Sequence, residues 1–564
     1  MSRQGQDRTV EPEPEAVADH VLGLGGFSFV GLDRRQTADA VGRFLGALVR
    51  RPSVVAQQAL RLTAEELAIL TRMSERSADP KDRRFADPIW SEQPWKTIMQ
   101  SYLAFRDTVM ETVDQVGLDE ASADRARFGL MQFTEAVAPS NNLTTNPVAL
   151  KRAVETKGAS LVNGAKHLID DLRNNGGIPS QVDRRPFVLG ENMAATPGTV
   201  IRRTEQYELI QYTPVTKRVR SRPLVIIPPQ INRFYFLDLA PGRSFVEHAL
   251  ANGQQVFLIA WRNPGPEHRN WSLETYVAAC IDAMETVLSV SRTKQVNTLG
   301  FCAGGMTQSI LLAYLAAQGR DLVHAASLAV TMIDTHARST INSFATKRTV
   351  QATIAKSRRK GMVEGSDLAK VFAWIRPNDL IWNYWVSNYL LGQDPPAFDV
   401  LAWNADATNL PNQLHEQFLE LSLGNLLIEP GGLSVFGQPI DLSKVEIDHY
   451  SVGAVTDHIV PWQSSYHATQ VFSGEHRFVL SNSGHIQALV NPPNNSKASY
   501  FVGDGYPPSA EAWRQSATRE SGSWWTDWIN WIDQRSGGWK AAPKAPGTPR
   551  TRRWCEAPGT YVRS

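Results

Sequence analysis

Cysteine is scarce. Only Cys280, Cys302 and Cys555 occur in 564 residues, far apart and without a C-x-x-C pair. That spacing excludes a disulfide framework and leaves a thiol free for chemistry in a reducing compartment. No run of about 18 apolar residues occurs, so no bilayer-spanning helix is expected. Charge of one sign is also lacking: the net charge is +2, which argues against nucleic-acid binding driven by a large positive field. The first twenty residues, MSRQGQDRTVEPEPEAVADH, have no basic region followed by an apolar core, so they do not read as a secretory signal, and a cytoplasmic location is expected. What is present is ordinary for a soluble globular chain, 42% hydrophobic and 20% charged, together with sixteen tryptophans whose clustering matters below. The length exceeds the roughly 250–300 residues at which single cores stop growing, so at least two domains are expected.

Residues 1–24 are polar and carry Pro and Glu, a composition expected to stay disordered. Residues 25–200 read as a mainly helical domain. LTAEELAILTRMSE (62–75) spaces Leu62, Leu67, Leu70 and Met73 helically beside a threonine placed to cap, and another helix is expected from Pro147 to about Asn175. Strand-like segments begin only after about Thr199. From there RPLVIIPP (222–229), QVFLIAW (255–261), the strand ending before Cys302, and AASLAVTM (325–332) alternate with helices, which implies a parallel sheet covered on both faces. An insert at about 340–430 interrupts this alternation, in the place of a lid over the sheet. Its Trp374, Trp382, Trp385 and Trp403 suit either a cover over an apolar channel or plain packing onto the core. Strands resume at DHYSVGAV (448–455) and HRFVL (476–480). Trp524, Trp528 and Trp531 share one face of a core-facing helix, and the α/β domain is expected to span 201–535. The basic stretch 536–564, rich in Pro and Gly, is expected to be a flexible tail.

The chemistry centres on VNTLGFCAGG (296–305). A short apolar strand stops at Gly300, turns on Cys302 and enters a helix from Ala303 to about Ala317. Small residues two before and two after, Gly300 and Gly304, make this the G-x-nucleophile-x-G elbow of the α/β-hydrolases, with sulfur in place of the usual hydroxyl. The helix N-terminus favours anionic charge at the turn. An acid and then a histidine should follow in chain order, each just after a later strand. Asp457 in GAVTDHIVPW and His485 in LSNSGHIQALVNPP meet that requirement. A free thiol, with a pKa of about 8.5, is only a few per cent thiolate at neutral pH. His485 would take its proton. Asp457 would orient the imidazole or help activate an incoming hydroxyl. The oxyanion would be held by the backbone N–H of Ala303 and by one after IIPP, near Ile231. A thiolate nucleophile suits thioester exchange, because the acyl-enzyme stays energised for transfer.

RFADPIWSEQPW, NLTTNPVAL, PPQINRFYFLDLAPGRSF, WRNP, LGFCAGG, RPNDLIWNYWVSNYLLG, LAWNADATNLP, GAVTDHIVPW, SNSGHIQ and GSWW occur in that order. Together they resemble the polyhydroxyalkanoate synthases over nearly the whole chain, and the long helical N-terminal region resembles the single-subunit type. The resemblance implies an α/β-hydrolase fold with a lid, preceded by a mainly helical domain. It implies polymerisation of (R)-3-hydroxyacyl-CoA into polyester with release of CoA, Cys302 being acylated, His485 the base and Asp457 the third member. No metal and no cofactor beyond the coenzyme A thioester substrate are expected. The implied partners are the growing polyester chain, the surface of a polymer granule and a second copy of the chain. Thr331, Trp403, Ser483 and Gln487 are expected near the substrate pocket. A thiol hydrolase or depolymerase of the same fold, and an inactive granule scaffold, are the rival readings.

Overall fold

The computed structural model describes residues 34–80, 82–337 and 347–564. The segment 1–24 lies outside the described residues, as do 340–346 at the start of the expected insert. The chain forms two compact units, one of the residues up to Asp183 with Lys370–Pro396, the other of Arg184–Ala369 with Ala397–Ser564.

The first unit is helical: α1 (Arg34–Arg50), α2 (Pro52–Leu70), α3 (Trp95–Gln115), α4 (Glu120–Ala136), α5 (Pro147–Glu155) and α6 (Ala159–Asn174). Their starts follow from local chemistry. Pro52 and Pro147 occupy first-turn positions where no N–H is needed, and Asp119 and Asn146 cap the free N–H groups of Ser122 and Ala149. The helix read at 62–75 in fact begins at Pro52 and ends at Leu70. Thr63 is therefore no cap; its hydroxyl donates to the Ala59 carbonyl in mid-helix. Ile69 is buried, whereas Leu67, Leu70 and Met73 are exposed.

Lys370–Pro396 belongs to this unit, so the insert expected as one lid across 340–430 is split. Gln132 Nε2 donates to the Trp374 carbonyl (2.8 Å), Trp385 Nε1 to the Asn141 carbonyl (3.0 Å) and the Tyr389 hydroxyl to Asp171 (2.7 Å). Trp374 and Trp382 are buried. Three of the four insert tryptophans thus pack within the helical unit.

The second unit is built on a ten-stranded sheet. Its strands are β1 (Gly198–Arg203), β2 (Tyr207–Tyr212), β4 (Leu224–Ile227), β5 (Val256–Trp261), β6 (Val296–Phe301), β7 (Val323–Ala329), β8 (Asp448–Ala454), β9 (His476–Ser481), β10 (Ser499–Val502) and β11 (Thr518–Ser521). A short β3 (Arg218–Arg220) lies outside it. The order is β1-β2-β5-β4-β6-β7-β8-β9-β10-β11. Pairing is parallel from β5 to β9 and antiparallel towards both edges. β4 and β6 are buried at every position, as two-sided cover requires. Helices α7 (Phe245–Ala251), α8 (Leu273–Ser291) and α9 (Ala303–Ala317) come from the connections. Further along, α10 (His485–Leu489) follows β9, and α11 (Trp524–Asp533) buries Trp524, Trp525, Trp528 and Trp531, as its one-sided pattern predicts.

The stretch 536–564 is not a loose tail. Trp539–Ala541 forms β12, antiparallel to β3, and Arg220 stacks over Trp539. Val200 in β1 exchanges backbone hydrogen bonds with Trp554 and Cys555. The buried Glu208 carboxylate accepts from the Thr560 and Tyr561 N–H groups and pairs with Arg203. An otherwise open sheet edge and a buried carboxylate both gain partners, which is why this basic, Pro-bearing stretch is ordered.

Candidate active site

β6 delivers Cys302 at the carboxyl end of the parallel strands, with φ +49° and ψ −122°. A non-glycine residue held there stores on the order of 1–3 kcal/mol of strain, so the surroundings must impose it. They do: Cys302 N donates to the Ala329 carbonyl of β7 (3.0 Å), while its own carbonyl accepts from Gly305 N (2.9 Å) and Met306 N (3.2 Å). A Cβ on Gly304 would stand 2.4 Å from the Ile227 carbonyl oxygen and 2.5 Å from that of Pro228, so α9 begins in direct contact with the end of β4. Gly305 is required too, since a Cβ there would meet Thr331 Oγ1 at 2.0 Å. That third glycine escaped the motif because its reason is a contact with Thr331, just after β7, not the turn.

Asp457 lies in the turn after β8. Its Oδ1 accepts from the backbone N–H of Ile459 and Val460, each at 2.9 Å, which fixes the carboxylate before it meets its partner. Oδ2 lies 2.6 Å from Nδ1 of His485, the first residue of α10. The two side chains are 1% and 4% exposed. With Nδ1 engaged by Asp457, the other ring nitrogen is left for Cys302, which lies within electrostatic reach of the imidazole. The structure therefore brings Cys302, Asp457 and His485 together, although the first and last stand 183 positions apart in the chain.

Burial pushes His415 down to about 4 and His449 to about 3. At His485 burial acts in the same sense, but the charges of Asp457 and Cys302 and their hydrogen bonds outweigh it and lift the imidazole to about 10. Burial raises the other two thiols, Cys280 and Cys555. A raised imidazole stabilises the fold fully below its ordinary value near 6.5, and that contribution is lost as the pH rises through about 10. The melting-temperature advantage of the native chain over His485→Gln should therefore be largest at pH 6 and shrink towards pH 10.5. A constant difference across that range would contradict the coupled ion pair.

The remaining expected residues divide. Among the described residues no protein acceptor takes the N–H of Ala303, at the first turn of α9, or of Ile231, in the loop after β4. Thr331 is buried against Gly305 and its carbonyl accepts from Ser465 Oγ (3.0 Å), so it packs behind the elbow. Trp403 is buried, with Nε1 donating to the Arg233 carbonyl (2.8 Å) and its ring 5.4 Å from Phe236; it braces the loop after β4. Ser483 links the acid and base loops, its carbonyl accepting from Thr456 N (3.0 Å). Gln487 is exposed on α10. A cavity of about 360 Å³ lined by Arg184, Arg233, Tyr235, Asp406 and Arg563 includes none of Cys302, Asp457 and His485.

Sheet order, elbow and the late Asp and His define the chain as an α/β-hydrolase fold. The alpha/beta hydrolase fold model matches residues 223–492, and the model for the poly-beta-hydroxybutyrate polymerase (PhaC) N-terminus matches 81–249. The poly(3-hydroxyalkanoate) polymerase 1 of Ectopseudomonas oleovorans is 42% identical over 97% of this chain and 97% of its own length. The poly(3-hydroxyalkanoate) polymerase subunit PhaC of Cupriavidus necator is 38% identical over 86% of this chain and 83% of its own. The chain belongs to the poly(3-hydroxyalkanoate) polymerase family. Among solved structures, a monoacylglycerol lipase of Paleococcus ferrophilus covers 50% of this chain and 91% of that one, at 11% identity and a TM-score of 0.32.

Proposed function

We propose that the protein polymerises (R)-3-hydroxyacyl-CoA into polyester through a thioester on Cys302, releasing CoA. The observation that carries this is the buried Asp457–His485 pair, 2.6 Å apart, set against a thiol on a strained elbow. His485 holds the proton that Cys302 gives up, and the thiolate adds to the substrate carbonyl carbon. The oxyanion is held by the N–H groups of Ala303 and Ile231. As the carbon–sulfur bond to CoA breaks, the imidazolium returns its proton to the leaving thiolate. A 3-hydroxyl then attacks the Cys302 thioester, losing its proton to His485; the acyl carbon–sulfur bond breaks, freeing the Cys302 thiolate, and the ester formed lengthens the chain by one unit. Both Asp457 oxygens are engaged within the protein and the carboxylate is 1% exposed, which favours orientation of His485 over direct contact with the hydroxyl.

No oxidant, metal or cofactor enters this cycle. The enzyme works in the cytoplasm, at the surface of its own polyester granule, as a homodimer. Supplying (R)-3-hydroxyacyl-CoA to the purified chain should release CoA in step with insoluble polymer. Free hydroxy acid in stoichiometric amount, without polymer, would show that the acyl-enzyme is hydrolysed instead.

A further inference from the structure

We infer that the buried hydroxyl of Thr408 is a positioning group that aims the Ile231 N–H at the reacting carbonyl oxygen. The inference rests on the reading of Cys302 as the acylated nucleophile. The stretch Gln230–Arg233 follows β4 and turns through Asn232 at φ +71°. Thr408 is 6% exposed and comes from the distant stretch LAWNADATNLP. Its Oγ1 accepts from Asn232 N at 2.7 Å and donates to the Gln230 carbonyl at 3.2 Å. A hydroxyl does both from a single atom. The peptide groups on either side of Ile231 are thereby held by one oxygen, while the Ile231 N–H, opposite the held Gln230 carbonyl in the first of them, has no protein acceptor among the described residues.

The same network reaches the other oxyanion donor. Gln230 Nε2 donates to Thr307 Oγ1 (3.0 Å), and Thr307 Oγ1 donates to the Ala303 carbonyl (3.1 Å). Farther along the loop, the Arg233 carbonyl accepts from Trp403, and the Arg233 guanidinium donates to the Tyr561 carbonyl (3.0 Å) and reaches Asp406 (3.4 Å). The Tyr235 hydroxyl also donates to Asp406 (2.8 Å). These anchors fix the loop as a whole, but among the described residues Thr408 alone grips both flanks of Ile231. An oxyanion donor must lie about 2.7–3.1 Å from the developing charge. Misplacement by about 1 Å costs roughly 10²-fold in rate.

The test compares Thr408→Val, which keeps the shape and removes the hydroxyl, with Thr408→Ser, which keeps the hydroxyl, in the full chain. For Thr408→Val we expect kcat for CoA release to fall about 10- to 100-fold, less than the ~10²–10³ that removal of a donor costs. KM should stay within about twofold, because the contact strengthens only in the transition state. Alkylation of Cys302 by iodoacetamide forms no oxyanion, so its rate should be unchanged, which also shows that the site is folded. Thr408→Ser should recover to within about threefold of the native kcat, since the bridging oxygen is retained. Native kcat in Thr408→Val would overturn the inference, as would alkylation falling in step with kcat, or a Ser variant as slow as Val. CoA release that survives Cys302→Ala would instead overturn the nucleophile reading, and this inference with it.

Discussion

Cys302→Ala is expected to lower CoA release from (R)-3-hydroxyacyl-CoA by about 10⁴-fold or more, because a nucleophile and its base act as a unit. Nothing else at the elbow can substitute. Cys280 is fully buried in α8, and Cys555 lies on the stretch docked against β1, beside Arg203. Alanine keeps the Cβ already accommodated at φ +49°, so the turn and the packing of Gly304 on β4 should survive. The measurement is CoA thiol release with a melting curve beside it. Release that persists in a folded Cys302→Ala chain would sink the covalent route.

Asp457→Asn is expected to slow acylation of Cys302 by about 10²- to 10⁴-fold, the range over which correct imidazole protonation governs such sites. The turn should hold, because the asparagine carbonyl oxygen can still accept from Ile459 and Val460. Its NH₂ then faces His485 Nδ1, where an acceptor stood at 2.6 Å. The imidazole is driven to the opposite tautomer, with a proton already on the nitrogen facing the thiol, and it can no longer take the one on sulfur. Mass spectrometry of Cys302 after a single turnover separates two roles. Slow acylation marks Asp457 as the residue that orients His485. Native acylation followed by slow chain growth would place its action on the incoming hydroxyl instead.

The site was legible in the sequence wherever its logic is local or ordinal. Gly300, Cys302 and Gly304 announce a strained strand-to-helix turn because only small neighbours fit it. Asp457 and His485 stand out because each follows a strand, in the order the fold demands. The alternation of apolar strands and helices also marked the parallel core, since burial on both faces leaves a continuous apolar run. Edge strands were harder to see. β10 alternates buried with partly buried positions and β11 is exposed throughout, so neither carries such a run.

Tertiary structure alone decided the rest. No local pattern says that a basic, Pro-rich stretch will close a sheet edge, or that a tryptophan-bearing insert will send Lys370–Pro396 into the helical unit. Gly305 looks like an ordinary glycine until Thr331 is set against it, and Thr408 like an ordinary threonine until Gln230 and Asn232 flank its hydroxyl. The reason is physical. A turn, a cap or a periodic face is written in neighbouring residues, because their own sterics and hydrogen bonds create it. A hydrogen bond between residues 176 positions apart leaves its mark only at its two ends, and the fold must bring those ends together before either can be read. The sequence by itself determined the elbow, its sulfur and the order of acid and base; the folded chain decided how the two oxyanion donors are held.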